Sequence, residues 1–250
     1  MSKTGSNASS AGSDPAVRPW PSTMWELIRE GREGSHAQKQ AALEKLFRQY
    51  YTPILRFFQK VLGVRGADLE DLTQDFFTRF VEKDFIKNIL VEKSFRGFLK
   101  VACRRHFINW LHSRRSSDRS TPFRDAEERA AELAATPGRM DEMIDDEVRS
   151  WMIDEALDRA RRRLERAGKE THMKVFEAKT GLQGPPMGYK ALAERFGISV
   201  YDVGHHLSSG RKAVRDALLE VAAERSDDPT EELGSLDLLQ FLAKRPRRTD

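Results

Sequence analysis

The chain has 250 residues, 33% of them charged and 9% aromatic, with a formal net charge of +4. No apolar run approaches the roughly 20 residues of a membrane span, and Cys103 is the single cysteine, which excludes an internal disulfide framework. The opening residues carry no apolar segment of the signal-peptide kind, so a cytoplasmic protein is expected.

Residues 1–21 are rich in Ser, Gly, Ala and Pro. They bury too little apolar surface to offset the entropy of ordering, so disorder is expected. Thr23–Glu30 reads as a short helix stopped by Gly31, Gly34 and Ser35. In His36–Leu62, Leu43, Leu46, Phe47, Tyr50, Ile54, Phe58, Val61 and Leu62 recur at spacings of three and four. That pattern predicts a long amphipathic helix, with a kink where Pro53 removes a backbone donor. Ala67–Phe85 is the next helix, with Leu69, Leu72, Phe76, Phe77, Phe80 and Val81 inward. Asp68, Asp71 and Asp75 line another side with Gln74 beside them, although acids also suit a helix N-terminus.

After a loop at Ile86–Lys93, Ser94–Arg115 has two opposed chemistries. Phe95, Phe98, Leu99, Ala102, Cys103, Phe107, Ile108 and Leu111 form an apolar stripe. Arg96, Lys100 and Arg104 follow at four-residue steps, Arg105, Asn109 and His112 widen the polar side, and Arg114 and Arg115 close it. Cations suit phosphates, and amides and rings suit bases; a solvated basic face has the same composition. Three helices with short connections make an antiparallel bundle.

Residues 116–146 are acidic and interrupted by Pro122, Pro137 and Gly138, which reads as a linker. The simpler expectation is a solvated one; the other is that its charge rests on a basic surface when DNA is absent. Val148–Ala167 and Thr171–Lys179 are helices, and Gly181–Gly188 is a loop. Tyr189–Glu224 has a helix-turn-helix layout. Tyr189–Phe196 buries Leu192 and Phe196, Gly197 suits a left-handed residue past its end, and Ile198 plugs the turn. Ser199 and Asp202 have capping-box spacing, and Val203, Leu207 and Val214 face inward. In the tail, Asp228-Pro229-Thr230-Glu231 starts a helix, Leu233, Leu236, Leu239 and Phe241 are available to dock, and Lys244, Arg245, Arg247 and Arg248 make a basic end.

Catalytic patterns are missing. Cys103, His106 and His112 fall short of the four ligands of a zinc site, and no Gly-rich phosphate loop, nucleophile elbow or HExxH occurs. No enzyme activity, metal or cofactor is expected.

Two helical modules remain: one with an acidic face beside a basic, aromatic one, the other with a helix-turn-helix. With Leu46–Phe58, Ala67–Phe80, Phe95–Arg115 and Tyr189–Leu218, the chain resembles a bacterial extracytoplasmic-function (ECF) sigma factor of the sigma-70 family. The core DLTQDFF within Ala67–Phe80 carries most of that resemblance. It looks like a long variant with an extended segment before the helix-turn-helix and a tail after it. The resemblance implies an all-α fold: a sigma region 2-like bundle at 22–115, an acidic linker at 116–146, a sigma region 4-like domain at 147–225 and a tail at 226–250.

It also implies a set of partners and roles. Asp68, Asp71, Gln74 and Asp75 would dock on core RNA polymerase. Lys100, Arg104, Arg105, Arg114 and Arg115 would hold promoter phosphates, and Asn109 and His112 would face the same DNA. Asn88, in the preceding loop, would line a pocket for a flipped base. Trp110 or His106 would stack on bases, with core packing an equal alternative for Trp110. Tyr201, His205, Ser208, Arg211 and Lys212 would meet duplex DNA through the second module. An anti-sigma factor is a further implied partner; a membrane is not. Gly204-His205-His206 departs from the family's usual Lys-Ser-Arg. That departure keeps two alternatives open: a stand-alone helix-turn-helix regulator, and a degenerate sigma factor acting as a protein-interaction module.

Overall fold

A computed structural model describes residues 35–62, 67–82, 95–117, 132, 135–226 and 228–241. Among these residues the chain is all-α. Helix α1 is His36–Leu62, α2 Ala67–Glu82, α3 Phe95–Ser117 and α4 Pro137–Arg166. Then come α5 at Glu170–Thr180, α6 at Tyr189–Phe196, α7 at Val200–Ala223, α8 at Pro229–Ser235, and a 3-10 turn at Leu239–Phe241. The expectations for residues 1–21, Thr23–Glu30, Ile86–Lys93 and the basic end fall outside the described residues. Among those described, no helix is long and apolar enough to cross a membrane.

The first core forms where the apolar stripes of α1 to α3 meet. Ile54, Phe57 and Phe58 of α1, Leu72 and Phe76 of α2, and Leu99, Cys103 and Phe107 of α3 are all buried. Burial of such side chains contributes about 1.5–3 kcal/mol each. The Phe58 and Phe76 rings meet edge to face at 6.0 Å. Cys103 is fully enclosed, and burial pushes its thiol pKa well above the ordinary value, so it is no nucleophile.

The largest correction concerns the acidic stretch. The linker expected over 116–146 is helix from residue 137 onward. α4 starts at Pro137, not Val148, and runs for 30 residues. The domain boundary expected between 146 and 147 therefore falls within a helix. Pro137 opens the helix rather than interrupting a linker, because its missing N–H is an orphan at the first position anyway. Met140, Ile144, Val148 and Met152 repeat every four residues and are all 0–1% exposed. This stripe packs against α1 and α3 as a fourth wall of the bundle. Farther along, Ala160 and Leu164 of the same helix are buried where α4 meets α7.

α1 passes Pro53 without ending. A proline there cannot donate to the carbonyl four residues back, Gln49 O. That oxygen instead accepts from Arg225 Nη1 at 3.2 Å, and Gln49 Nε2 donates to Glu224 O at 2.9 Å. Arg225 is 4% exposed, with its guanidinium 4.3 Å from the Tyr50 ring and 5.2 Å from the Trp151 ring. The end of α7 is thereby fastened to α1.

In the second module α7 packs on α4, α5, α6 and α8. At Gly210 an added Cβ would lie 2.6 Å from Phe176 Cβ, so glycine is what lets α7 cross α5 this closely. The turn between α6 and α7 follows the predicted chemistry. Gly197 has φ 63°, and Ile198 N–H donates to Ala193 O at 3.0 Å. The Ser199 hydroxyl accepts from Asp202 N–H at 3.0 Å.

The tail docks on the second module, with Leu233 and Leu236 fully buried. Arg149 Nε of α4 donates to Leu236 O at 2.6 Å. Leu239, expected to dock, is 42% exposed, and Leu238 is buried in its place. Asp237 at φ 55° sets that register. Its N–H reaches Gly234 O and that of Leu238 reaches Leu233 O, a helix-ending motif that turns Leu238 inward.

Candidate nucleic-acid interface

The expected site residues of α3 divide between two faces. Lys100 and Arg104, one turn apart, point at α4. Lys100 Nζ lies 2.5 Å from Asp145 Oδ2, and Arg104 Nη2 3.8 Å from Asp141 Oδ1. Their side chains are only 16% and 20% exposed. Within the acidic stretch, Asp141 and Asp145 therefore face cations of α3, whereas Glu142 is exposed and Asp146 pairs with Arg149 on its own helix. Arg105 and Asn109, also one turn apart, lie on the other side of α3 and are exposed. His112, Arg114 and Arg115 belong to the helix, their side chains outside the description. Asn88 is not among the described residues.

His106 does not stack outward. It is 9% exposed, with its ring 5.4 Å from Phe76 and 6.0 Å from Phe58. Four residues after Ala102 and three after Cys103, it falls on the apolar stripe, and packing prevails there. Trp110 is half-buried, its ring nearly parallel to that of Phe107 at 6.4 Å. Trp110, Asn109 and His106 join Asp75 and Arg79 of α2 around a cavity of about 90 Å³.

On α2, Asp71 and Gln74 are exposed and Asp75 is half-exposed. Asp75 accepts from Arg79 Nε at 2.8 and 2.9 Å and lies 3.8 Å from His106 Nε2. The side chain of Asp68 is outside the description. The acidic face of α2 and the outward face of α3 therefore adjoin, with Asp75 and His106 at their seam.

On α7, Tyr201 is 89% exposed, and His205, Ser208, Arg211 and Lys212 are exposed as well. Lys212 pairs with Asp216 at 2.7 Å. A third imidazole, missed in the sequence, completes the picture behind them. His172 of α5 lies 4.1 Å from His206 and 5.6 Å from His205, ring centre to ring centre. Burial pushes the His172 pKa below its ordinary value, with His206, His205 and Lys169 adding to the effect. His206 Nδ1 is 2.7 Å from Asp202 O, which makes that nitrogen the donor. Among the described residues no group of three His, Cys, Asp or Glu is arranged to hold a metal ion.

A groove of about 420 Å³ lies between α4, α5 and α6. Its buried carboxylate, Glu177, is 2% exposed and takes hydrogen bonds from Arg161 Nε at 2.6 Å and Gln183 Nε2 at 2.5 Å. That satisfied pair ties α4 to the loop after α5 and has the character of a structural contact. No protein-family model, no curated protein and no solved structure matches the chain.

Proposed function

We propose that the protein is a promoter-specificity subunit of the ECF sigma kind, which joins core RNA polymerase, directs it to a promoter and helps open the DNA. It acts without catalysing a reaction itself. The observation that carries the reading is the DLTQDFF segment of α2 set beside the basic, aromatic α3. Asp71 and Gln74, with Asp75 and Asp68, serve the polymerase. The outward face of α3, with Arg105, Asn109 and Trp110, serves one promoter strand, where stacking is worth roughly 1–3 kcal/mol per base. Arg114, Arg115 and His112 extend that face. Tyr201, His205, Ser208 and Arg211 of α7 serve duplex DNA, and Lys212 joins them once it leaves Asp216. The cytoplasm is where these partners are found.

The test is transcription from a matched promoter by core enzyme with the full chain. Asp71→Ala with Asp75→Ala should abolish co-purification with core enzyme and transcription together. Unchanged co-purification, or no promoter output from any sequence in a randomised library, refutes the reading. A second reading, a stand-alone regulator, draws on the exposed Tyr201 and the capped α7. It predicts a duplex footprint by the chain without polymerase.

A further inference from the structure

Lys100 and Arg104 on α3 and Asp141 and Asp145 on α4 each repeat at one helical turn, about 6 Å along the axis. The pairing runs in opposite senses along the two helices: Lys100 meets Asp145, and Arg104 meets Asp141. A separate pair, Lys60 of α1 3.1 Å from Glu147, ties the same stretch of α4 to α1. The neighbouring acids are placed otherwise: Glu142 is exposed, and Asp146 pairs with Arg149 on its own helix. One residue before Asp141 and Asp145 in turn, Met140 and Ile144 are buried and hold the start of α4 down.

We infer that the start of α4 is a built-in competitor for the nucleic-acid face of α3, its two carboxylates occupying Lys100 and Arg104 where phosphates would bind. The inference rests on the reading of α3 as a DNA-contacting helix. Carboxylate and phosphate are alternative acceptors for the same cations. A strand approaching the closed chain meets only the Arg105 and Asn109 side. It gains Lys100 and Arg104 when residues 137–147 lift away and expose Met140 and Ile144. The closed chain therefore binds DNA weakly, and lifting this segment is the step that strengthens binding.

The experiment is anisotropy of a labelled, mixed-sequence single strand titrated with the full chain across a range of salt. Asp141→Asn with Asp145→Asn should bind roughly tenfold more tightly. Its log–log salt dependence should be steeper by up to about 1.4, for at most two more phosphates at about 0.7 each, since a share of the DNA-bound wild type has already opened. Glu142→Gln with Glu165→Gln changes net charge equally without touching α3, and should stay within about twofold of wild type, by the same counterion arithmetic applied to charges off the site. Lys100→Gln with Arg104→Gln should cancel the gain in the acid-neutralised chain and leave the wild-type affinity nearly unchanged.

An acid-neutralised chain that binds no more tightly than the charge-matched control overturns the inference. If Lys100→Gln with Arg104→Gln weakens the wild type while acid neutralisation does nothing, the inference falls and the DNA-contacting role of α3 stands. If no α3 substitution alters affinity in any background, both fall. Carbodiimide cross-linking of the wild-type chain gives a readout that needs no variant. A Lys100–Asp145 amide should form without DNA, and its yield should fall with saturating single strand by the share of bound chains that have opened. A yield that DNA does not alter overturns the inference.

Discussion

Removing Arg225 should test the fastening at Pro53 more directly than any other substitution. Arg225→Met leaves Gln49 O buried with neither a helix donor nor a guanidinium, a cost of about 1–3 kcal/mol. It also removes the cation from between Tyr50 and Trp151, about 0.5–1 kcal/mol or more. Against this, Arg225 Nε and Nη2 are buried without hydrogen-bond partners, and Nε lies 3.7 Å from Glu232 Oε1, so the wild type already bears a desolvation cost that methionine relieves. The net expectation is a loss of about 2 kcal/mol. Pro53→Ala supplies the missing N–H, so it should recover more stability in the Arg225→Met chain than in the wild type. A four-protein cycle in urea, read from midpoints and slopes, should give a coupling of about 1–2 kcal/mol between positions separated by 172 in sequence. If Pro53→Ala has the same effect in both backgrounds, within about 0.3 kcal/mol, Arg225 does not stand in for the missing helix bond.

Three further outcomes follow from the second module. His172 has a folded pKa pushed below its ordinary 6.5, so below about that pH the unfolded chain takes up a proton that the folded chain resists. Stability should fall as pH drops from about 7 to 5, and His172→Gln should flatten that fall in denaturant midpoints; an equal slope in both chains speaks against the imidazole cluster as its source. Gly210→Ala should lower stability by about 1 kcal/mol or more, because overpacking against Phe176 outweighs the usual helix gain of about 1 kcal/mol; a raised midpoint would contradict the close crossing of α5 and α7. Gly204 has open space around it, so Gly204→Ala should stabilise by about 0.5–1 kcal/mol, and a fall in the midpoint would show an unrecognised contact at that face.

Signals carried by neighbouring residues were legible in the sequence. The Gly197 turn, the Ser199 cap and the Asp228 cap, whose carboxylate accepts from Glu231 N–H, all come from contacts within a turn or two, and the side chains involved name themselves. The start of α4 was hidden because Asp141, Glu142, Asp145 and Asp146 raise the polarity of a window whose Met140–Ile144–Val148 stripe is narrow. Only the meeting with α1 and α3 selects helix there. The placement of His106 is hidden for a related reason: a polar ring on an apolar stripe has no local feature that tells packing from display. Arg225 has no local signal at all, although Pro53 did announce that Gln49 O would need a donor from elsewhere. Of the α3 residues expected to contact DNA, sequence spacing identified the pairs that share a face, and only the position of α4 showed which pair is covered.

The continuity of α4 has a consequence for geometry on a DNA molecule. Its 30 residues span about 45 Å and are buried against α1 and α3 at one end and α7 at the other. On the reading proposed above, in which α3 takes one promoter strand and α7 the duplex, this rod would set the separation of the two elements. Each added base pair moves the second element by 3.4 Å and by roughly a tenth of a turn. A docked rod therefore favours a single spacer length, whereas a rod whose first turns have come away becomes a tether that accepts several. On that reading, tolerance of spacer length, as much as affinity, would be set by whether Asp141 and Asp145 are held.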